Sequence, residues 1–451
     1  METDLFLSKR KYKDDGLKKF IDSILLCLLC LGFCFLPPLP VQAEEEPVIV
    51  VIDPGHGGEN LGGEYEDYTE KDMTLIVANA MKEELEQYEG ITVYLTRTDD
   101  TELSLEERAE FAKSVNADFL YCLHFNLSEH HTLFGAECWV SAFGENYSKG
   151  YSFASIEMDM LTETGLYSRG IKTRLNSSGI DYYGIIRAST ERDIPCVLIE
   201  HCHLDEENDK PFYDHDEKLK EFGRLDATAV AKYFRLKSDS LSKDYTGYEN
   251  LSVAVPANVV KPDSTPPDVC MIELVDQKPD TGEVTLRVTA TDYDSGMLYY
   301  AYSYDGGTTY TNLQKWPERG KDIFEFTMQV PSETTPQILV NAYNGYDLYT
   351  TSNQLDLPTM HYGQEETEEA ENPDSAAQNT VPSSSAHVIS KEDYQEITYD
   401  TTDQETEPET VKSFGYFLQV TFICILLLLG MVFSMVLILR GRRKRKRRPR
   451  R

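Results

Sequence analysis

Residues 48–58 read VIVVIDPGHGG. Val48 to Ile52, an unbroken β-branched run, lead without a polar interruption into Asp53-Pro54-Gly55-His56. A run this short and this uniformly apolar has no amphipathic period. It reads as an interior strand covered on both faces, the kind found in sheets sandwiched between helices. The proline and glycines then stop the strand and leave His56 at its carboxyl end. The same layout returns twice: Phe119 to Leu123 lead into His124, and Val197 to Ile199 lead into Glu200. Ligands of open α/β sheets bind at the carboxyl ends of the strands. The three residues are therefore expected to converge on one crevice, although they lie far apart along the chain.

Glu70 is expected to join them from a helix. Thr69 fits the N-cap position, and Met73, Val77, Ala80, Met81 and Leu85 form an apolar stripe at helical spacing. Glu70 then sits in the first turn, near the strand ends. The implied fold class is α/β, a twisted, mostly parallel sheet flanked by helices. Two imidazoles and one carboxylate suit zinc, and three protein ligands leave a fourth position open for water, as catalytic zinc sites do. Taken singly, each residue has a plainer use. DPGHG can be a tight loop, Glu70 can pair with a helix dipole, and Glu200 can be half of a buried ion pair. The four together favour a metal site at His56, Glu70 and His124 with Glu200 beside it.

With these pieces in place, the sequence resembles the zinc-dependent N-acetylmuramoyl-L-alanine amidases of bacterial cell-wall turnover, over roughly residues 47–236. The resemblance is carried by DPGHGG, the acidic helix start EKDMTL at 70–75, VYLTRTDD at 93–100, SLEER at 104–108, LHFN at 123–126, GAEC at 135–138 and VLIE at 197–200, in that order. It implies that His56, Glu70 and His124 bind Zn2+ and that Glu200 is the catalytic glutamate. The implied substrate is peptidoglycan, cut at the amide between the lactyl group of N-acetylmuramic acid and L-alanine. One departure bears on local substrate contacts: after the glutamate stands His201-Cys202-His203, where the family has a glycine-aromatic segment. Strand alternation places both histidines on the face opposite Glu200, where packing is the expected role. The segment 165–190 is basic and aromatic, with Arg169, Lys172, Arg174 and Arg187 as candidates for stem-peptide carboxylates. Arg187 is the one favoured for substrate binding, because it closes a strand-like GIIR run and resembles a recurrent family arginine.

The ends of the chain suggest export and anchoring. Residues 1–43 combine a basic start, a short apolar stretch and Val41-Gln42-Ala43, the pattern of a secretory signal peptide. Residues 416–439 are apolar and long enough to span a bilayer. The tail at 440–451, RGRRKRKRRPRR, is expected on the cytoplasmic side by the positive-inside rule. The expected location is the cell membrane, single-pass, with the catalytic domain on the wall side. Of 43 basic and 77 acidic residues, the leader holds 6 and 5 and the tail 10 and none; the remaining 27 basic and 72 acidic residues put the exterior near −45. That balance excludes a nucleic-acid binder.

The catalytic domain is expected over 44–240, followed by a linker at 241–265. From 266 to 357 the pattern changes to short alternating tyrosine-rich strands such as EVTLRVTATD and LYYAYSYD, the mark of a small immunoglobulin-like β-sandwich whose plainest role is a spacer. Residues 358–413 are poor in large apolar side chains and read as a disordered acidic stalk. Cys122, Cys138, Cys196, Cys202 and Cys270 are odd in number and sit mostly on expected strands, so they read as buried thiols. The alternative function is a catalytically inactive wall-binding or regulatory surface protein. Its signature, loss of a ligand or of the glutamate, is not seen in the sequence.

Overall fold

The computed structural model describes residues 46–128 and 132–363. The leader, most of the stalk, the apolar stretch at 416–439 and the basic tail lie outside the described residues. Among the described residues, no helix is long and apolar enough to cross a membrane.

Six strands form the main sheet: β1 (Val48–Pro54), β2 (Ile91–Leu95), β3 (Phe119–Asn126), β4 (Ala136–Val140), β5 (Ser168–Lys172) and β6 (Cys196–His203), in the order β2-β1-β3-β6-β4-β5. All neighbours are parallel except β4 and β6, which run antiparallel. The mostly parallel sheet is thus as expected, and β1, β3 and β6, whose ends carry the candidate residues, are adjacent. Five helices complete the domain: α1 (Glu70–Leu85), α2 (Leu105–Ser114), α3 (Gly144–Glu163), α4 (Gly184–Thr190) and α5 (Asp216–Tyr233).

The uniform apolar runs have a simple cause. Val50, Ile52, Tyr121, Val197 and Ile199 pack with Met73, Val77, Met81, Phe153, Phe222 and Val230 of α1, α3 and α5. The alternate residues Val51, Leu120, Cys122, Cys196 and Leu198 pack on the opposite face with Ala112 of α2 and Ile185 and Ile186 of α4. Both faces of each strand are covered, and each buried Val, Ile or Leu contributes roughly 1.5–3 kcal/mol. The stripe expected on α1 is buried in full. Thr69 stands at the N-cap, but its side chain makes no capping bond; it pairs instead with Glu64 in a short ladder. Ser104 and Glu107 close a reciprocal capping box on α2.

The domain continues past residue 240. Lys237–Ser238 and Lys243–Asp244 pair as a hairpin, and Leu241, Tyr245 and Tyr248 pack on the core. The expected linker is also held to the domain, since Val260 N donates to Ala142 O at 2.9 Å and Thr173 Oγ1 donates to Val260 O at 2.9 Å.

Two antiparallel sheets follow. One is β7 (Val269–Lys278), β8 (Glu283–Thr291) and β10 (Ile323–Gln329); the other holds β9 (Met297–Ser303), β11 (Gln337–Asn344) and β12 (Tyr349–Thr351). They enclose one apolar cluster that includes Ile272, Leu286, Val288, Trp316 and Val340. This β-sandwich is docked on the first domain: Leu133 and Phe134 are buried with Leu298, Tyr299, Ala301, Leu313 and Tyr343.

Candidate metal centre

The turn after β1 presents His56 in the left-handed region at φ 59°, a conformation costing roughly 1–3 kcal/mol for a non-glycine residue unless its surroundings impose it. Two buried arginines do so. Arg108 of α2 donates to Asp53 Oδ1 at 2.7 Å, Pro54 O at 2.9 Å and His56 O at 2.7 Å. Arg97, just past β2, donates to Pro54 O at 3.0 Å, Gly55 O at 2.7 Å and Lys71 O at 2.8 Å. These are the arginines of SLEER and LTRTDD. In the sequence alone neither arginine has a visible task; the signal for one is a cation embedded beside apolar runs.

The three expected ligands come together. His56 Nε2 lies 3.0 Å from Glu70 Oε2, and His124 Nδ1 lies 2.9 Å from Glu70 Oε1. All three ligand atoms fall within 4.8 Å of one another. Glycine is required at two places around them. A Cβ on Gly55 would meet the His124 ring at 2.5 Å, and one on Gly62, which has φ +70°, would meet Glu70 Oε2 at 2.5 Å and His56 Cδ2 at 2.6 Å. The His56 Nδ1–H faces Asn60 Oδ1 at 2.9 Å, which leaves Nε2 as the ligand nitrogen. Glu70 also accepts from Gly63 N at 2.7 Å and Phe125 N at 3.0 Å. Burial raises its carboxyl, but the two imidazoles more than offset this and hold it well below the usual carboxylate range. Two imidazoles and one ionised carboxylate, oriented by Asn60 and the Gly63 and Phe125 amides, fit a zinc ion.

Glu200 stands on β6, in register with His124 of β3 on one side and with Glu137 of β4 on the other. Its Oε2 is buried and takes no hydrogen bond among the described residues. Burial, then the charges of Glu70 and Glu137, push its carboxyl well up, with Arg169 opposing. Such a carboxyl, not tied to a partner, is able to take and return a proton.

Three expectations need correction. The GIIR run is helical, not strand-like: Arg187 lies in α4, where Nη1 donates to Asp181 O at 2.8 Å and Tyr182 O at 3.2 Å. Ile185 and Ile186 pack on the α2 side of the sheet, and a short apolar run cannot by itself distinguish helix from strand. None of the hydrogen bonds of Arg187 among the described residues goes to the four site residues. Arg169 and Lys172, further candidates for stem-peptide carboxylates, have their side chains buried against Glu137. Alternation does not hold through His203. β6 has an extra residue opposite His124–Asn126, so Cys202 turns into the core with Ile199. His203 lies in the field of Glu137 and Arg169, with burial and Arg169 pulling its pKa down to about 3. His201 packs as expected: its ring meets Asp226 at 3.1 Å and the His124 carbonyl at 3.1 Å. Burial pushes the Cys202 thiol well up, which disqualifies it as a nucleophile.

The family model for N-acetylmuramoyl-L-alanine amidase matches residues 50–232. The chain is 29% identical over 201 residues to the sporulation-specific N-acetylmuramoyl-L-alanine amidase of Bacillus subtilis (strain 168), covering 44% of this chain and 72% of that protein. It is 31% identical over 179 residues to the uncharacterized protein YqiI of the same organism, covering 40% of this chain and 80% of that protein. Among solved structures, it is similar to the catalytic domain of the amidase CwlV from Bacillus (Paenibacillus) polymyxa var. colistinus at 27% identity, covering 42% of this chain and 99% of that chain, with a TM-score of 0.36. With the family model matched over residues 50–232 and these relatives covered over 72% and 80% of their own length, the chain belongs to the N-acetylmuramoyl-L-alanine amidase family.

Proposed function

We propose that this chain hydrolyses the amide between N-acetylmuramic acid and L-alanine of peptidoglycan, with zinc at His56, Glu70 and His124 and Glu200 as the proton carrier. The observation that carries the reading is the convergence of the three ligand atoms within 4.8 Å beside a carboxylate in register with His124. When bound there, zinc supplies Lewis acidity toward the lactyl carbonyl and the attacking water. Asn60 and the Gly63 and Phe125 amides keep the ligands oriented. Glu200 removes a proton from the water as the C–O bond forms. It returns that proton to the alanine nitrogen as the C–N bond breaks, because an amide nitrogen leaves poorly without one. Arg187 enters as a substrate contact through its guanidinium, with Nη1 fixed by the 181–182 carbonyls.

We further propose that the enzyme works outside the cell, tethered by the apolar stretch at 416–439, with the basic tail inside. The test is mass spectrometry of peptidoglycan after incubation with the full chain, which should show free lactyl carboxyls and new L-alanine amino termini. Glu200→Gln should keep its metal and lose turnover by roughly 100- to 10,000-fold. Equal loss of metal and turnover would make Glu200 a ligand, and cleavage at any other bond would overturn the substrate assignment.

A further inference from the structure

The contact between the β-sandwich and the amidase domain runs into the floor of the active centre. Glu137, in register with Glu200 across the β4–β6 pair, is fully buried and receives four donors. Asn126 Nδ2 and Trp139 Nε1 donate to its Oε1 at 3.0 and 3.2 Å. Arg169 Nε and Lys172 Nζ donate to its Oε2 at 2.9 and 2.7 Å. The far end of Arg169 belongs to the sandwich: Nη2 donates to Asp347 Oδ2 at 2.7 Å and Nη1 to the Tyr299 hydroxyl at 3.0 Å. That hydroxyl donates in turn to Phe134 O, two residues before β4. Lys172 is likewise shared, with its Nζ 5.5 Å from the Trp139 ring and 5.6 Å from the ring of Tyr346.

We propose that Asp347 and Tyr299 of the β-sandwich are positioning residues of the active centre. Through Arg169 they hold Glu137, and through Glu137 the strand ends that carry His124 and Glu200. The proposal rests on the reading of Glu200 as the proton carrier. A spacer needs only an apolar contact, and Leu133, Phe134 and Leu298 already supply one. An ion pair taken wholly out of water adds little stability over apolar packing, so this one is not needed to hold the two domains together. The guanidinium is planar and rigid, so fixing both ends fixes the fork. Glu137, gripped on both oxygens, then ties β5 to Asn126, two residues beyond His124 on β3. The sandwich side chains therefore act on the site without touching substrate.

The test uses the full chain in detergent with a soluble muropeptide. Asp347→Asn should lower kcat about 10- to 100-fold, as loss of a group that orients a site from behind does, with KM and metal content changed less than about twofold. Asp347→Glu should restore part of the rate. Tyr299→Phe, which keeps the ring, should act in the same direction and stands in if Asp347→Asn does not fold. Arg319→Ala removes a neighbouring interface bond, to Ser168 O, and should leave kcat unchanged. Because the variants act through one carboxylate, Asp347→Asn or Tyr299→Phe added to Glu137→Gln should cost no more than Glu137→Gln alone. Multiplying losses, an unchanged kcat in Asp347→Asn, or an equal fall in Arg319→Ala would overturn the proposal. Retained turnover in Glu200→Gln would overturn the proton-carrier reading alone, and the Asp347–Glu137 cycle is decided separately from it.

Discussion

His56 shows how one side chain can couple proton and metal. Burial lowers its pKa, but the charge of Glu70 and the hydrogen bonds that His56 donates to Glu70 and Asn60 outweigh this, so without metal it titrates above the ordinary 6.5. A raised imidazole stabilises the metal-free fold fully below 6.5 and loses that contribution as pH rises through the folded value. Metal binding runs the other way, because the proton must leave before Nε2 can serve as a ligand. Thermal melts with and without zinc should therefore diverge as pH rises above neutrality and converge on acidification below about 6.5. A zinc-induced shift that is constant from pH 5 to pH 8 would remove His56 from the ligand set. The same melts on His124→Ala should show almost no zinc response. At this scale much was legible in the sequence: the strand-end rule and the helix stripe anticipated the convergence of His56, Glu70 and His124 and the place of Glu200 beside His124 on the neighbouring strand. Arg97, Arg108 and Glu137 were not recognised, because a buried charge declares itself only when its partner's position is known. Glu137 and Arg169 are linked by the pairing of β4 with β5, which no local pattern encodes.

Among the elements, α1 carries Glu70, and α5 fixes α1 in place. A Cβ on Gly223 of α5 would meet Val77 O at 2.4 Å and Met81 N at 2.7 Å, so the two helices cross there at backbone contact. Gly223→Ala should cost roughly 1–3 kcal/mol by overpacking. It should also weaken zinc binding, since Glu70 opens the helix that has to move. Denaturant unfolding together with zinc titration would check both effects; a stability loss with intact zinc affinity would mean that α1 tilts about its amino end. The element types were mostly readable. The exceptions were GIIR, which opens a helix of only seven residues with too little period to distinguish helix from strand, and the end of β6, where a bulge reversed the side assigned to His203. A bulge depends on the partner strand, so it leaves no mark in the periodicity of the strand that carries it.

For the whole molecule, the proposed tether sets where the enzyme can act. Residues 358–413 hold 14 acidic and 2 basic residues; the first of them, 358–363, are not stalk but close the sandwich, where Met360 is buried and its N–H donates to Thr334 O at 2.9 Å. Reducing the remainder to a few residues should leave kinetics on a soluble muropeptide unchanged and slow the digestion of intact wall. Unchanged wall digestion would argue against tethered reach. The strand pattern of 266–357 gave the sheets of the sandwich but not its docking, because Tyr299 and Asp347 look like ordinary strand and turn residues until Arg169 is set between them.

The five described cysteines are all free and buried, and burial pushes the thiol of Cys270 up to about 12 and raises those of Cys122, Cys138, Cys196 and Cys202 well above the ordinary thiol range. The folded surface therefore offers an alkylating reagent no described thiolate, and each sulfur becomes reactive only when its own surroundings open. The chain thus carries its own opening clock, with one marker in the sandwich and four in the amidase core. Pulsed iodoacetamide labelling under mild denaturant, resolved by peptide mass, should tag Cys270 and Cys138 with the same time course if the ion pair across the interface makes the two domains one cooperative unit. Asp347→Asn should separate them, with Cys270 becoming labelled first.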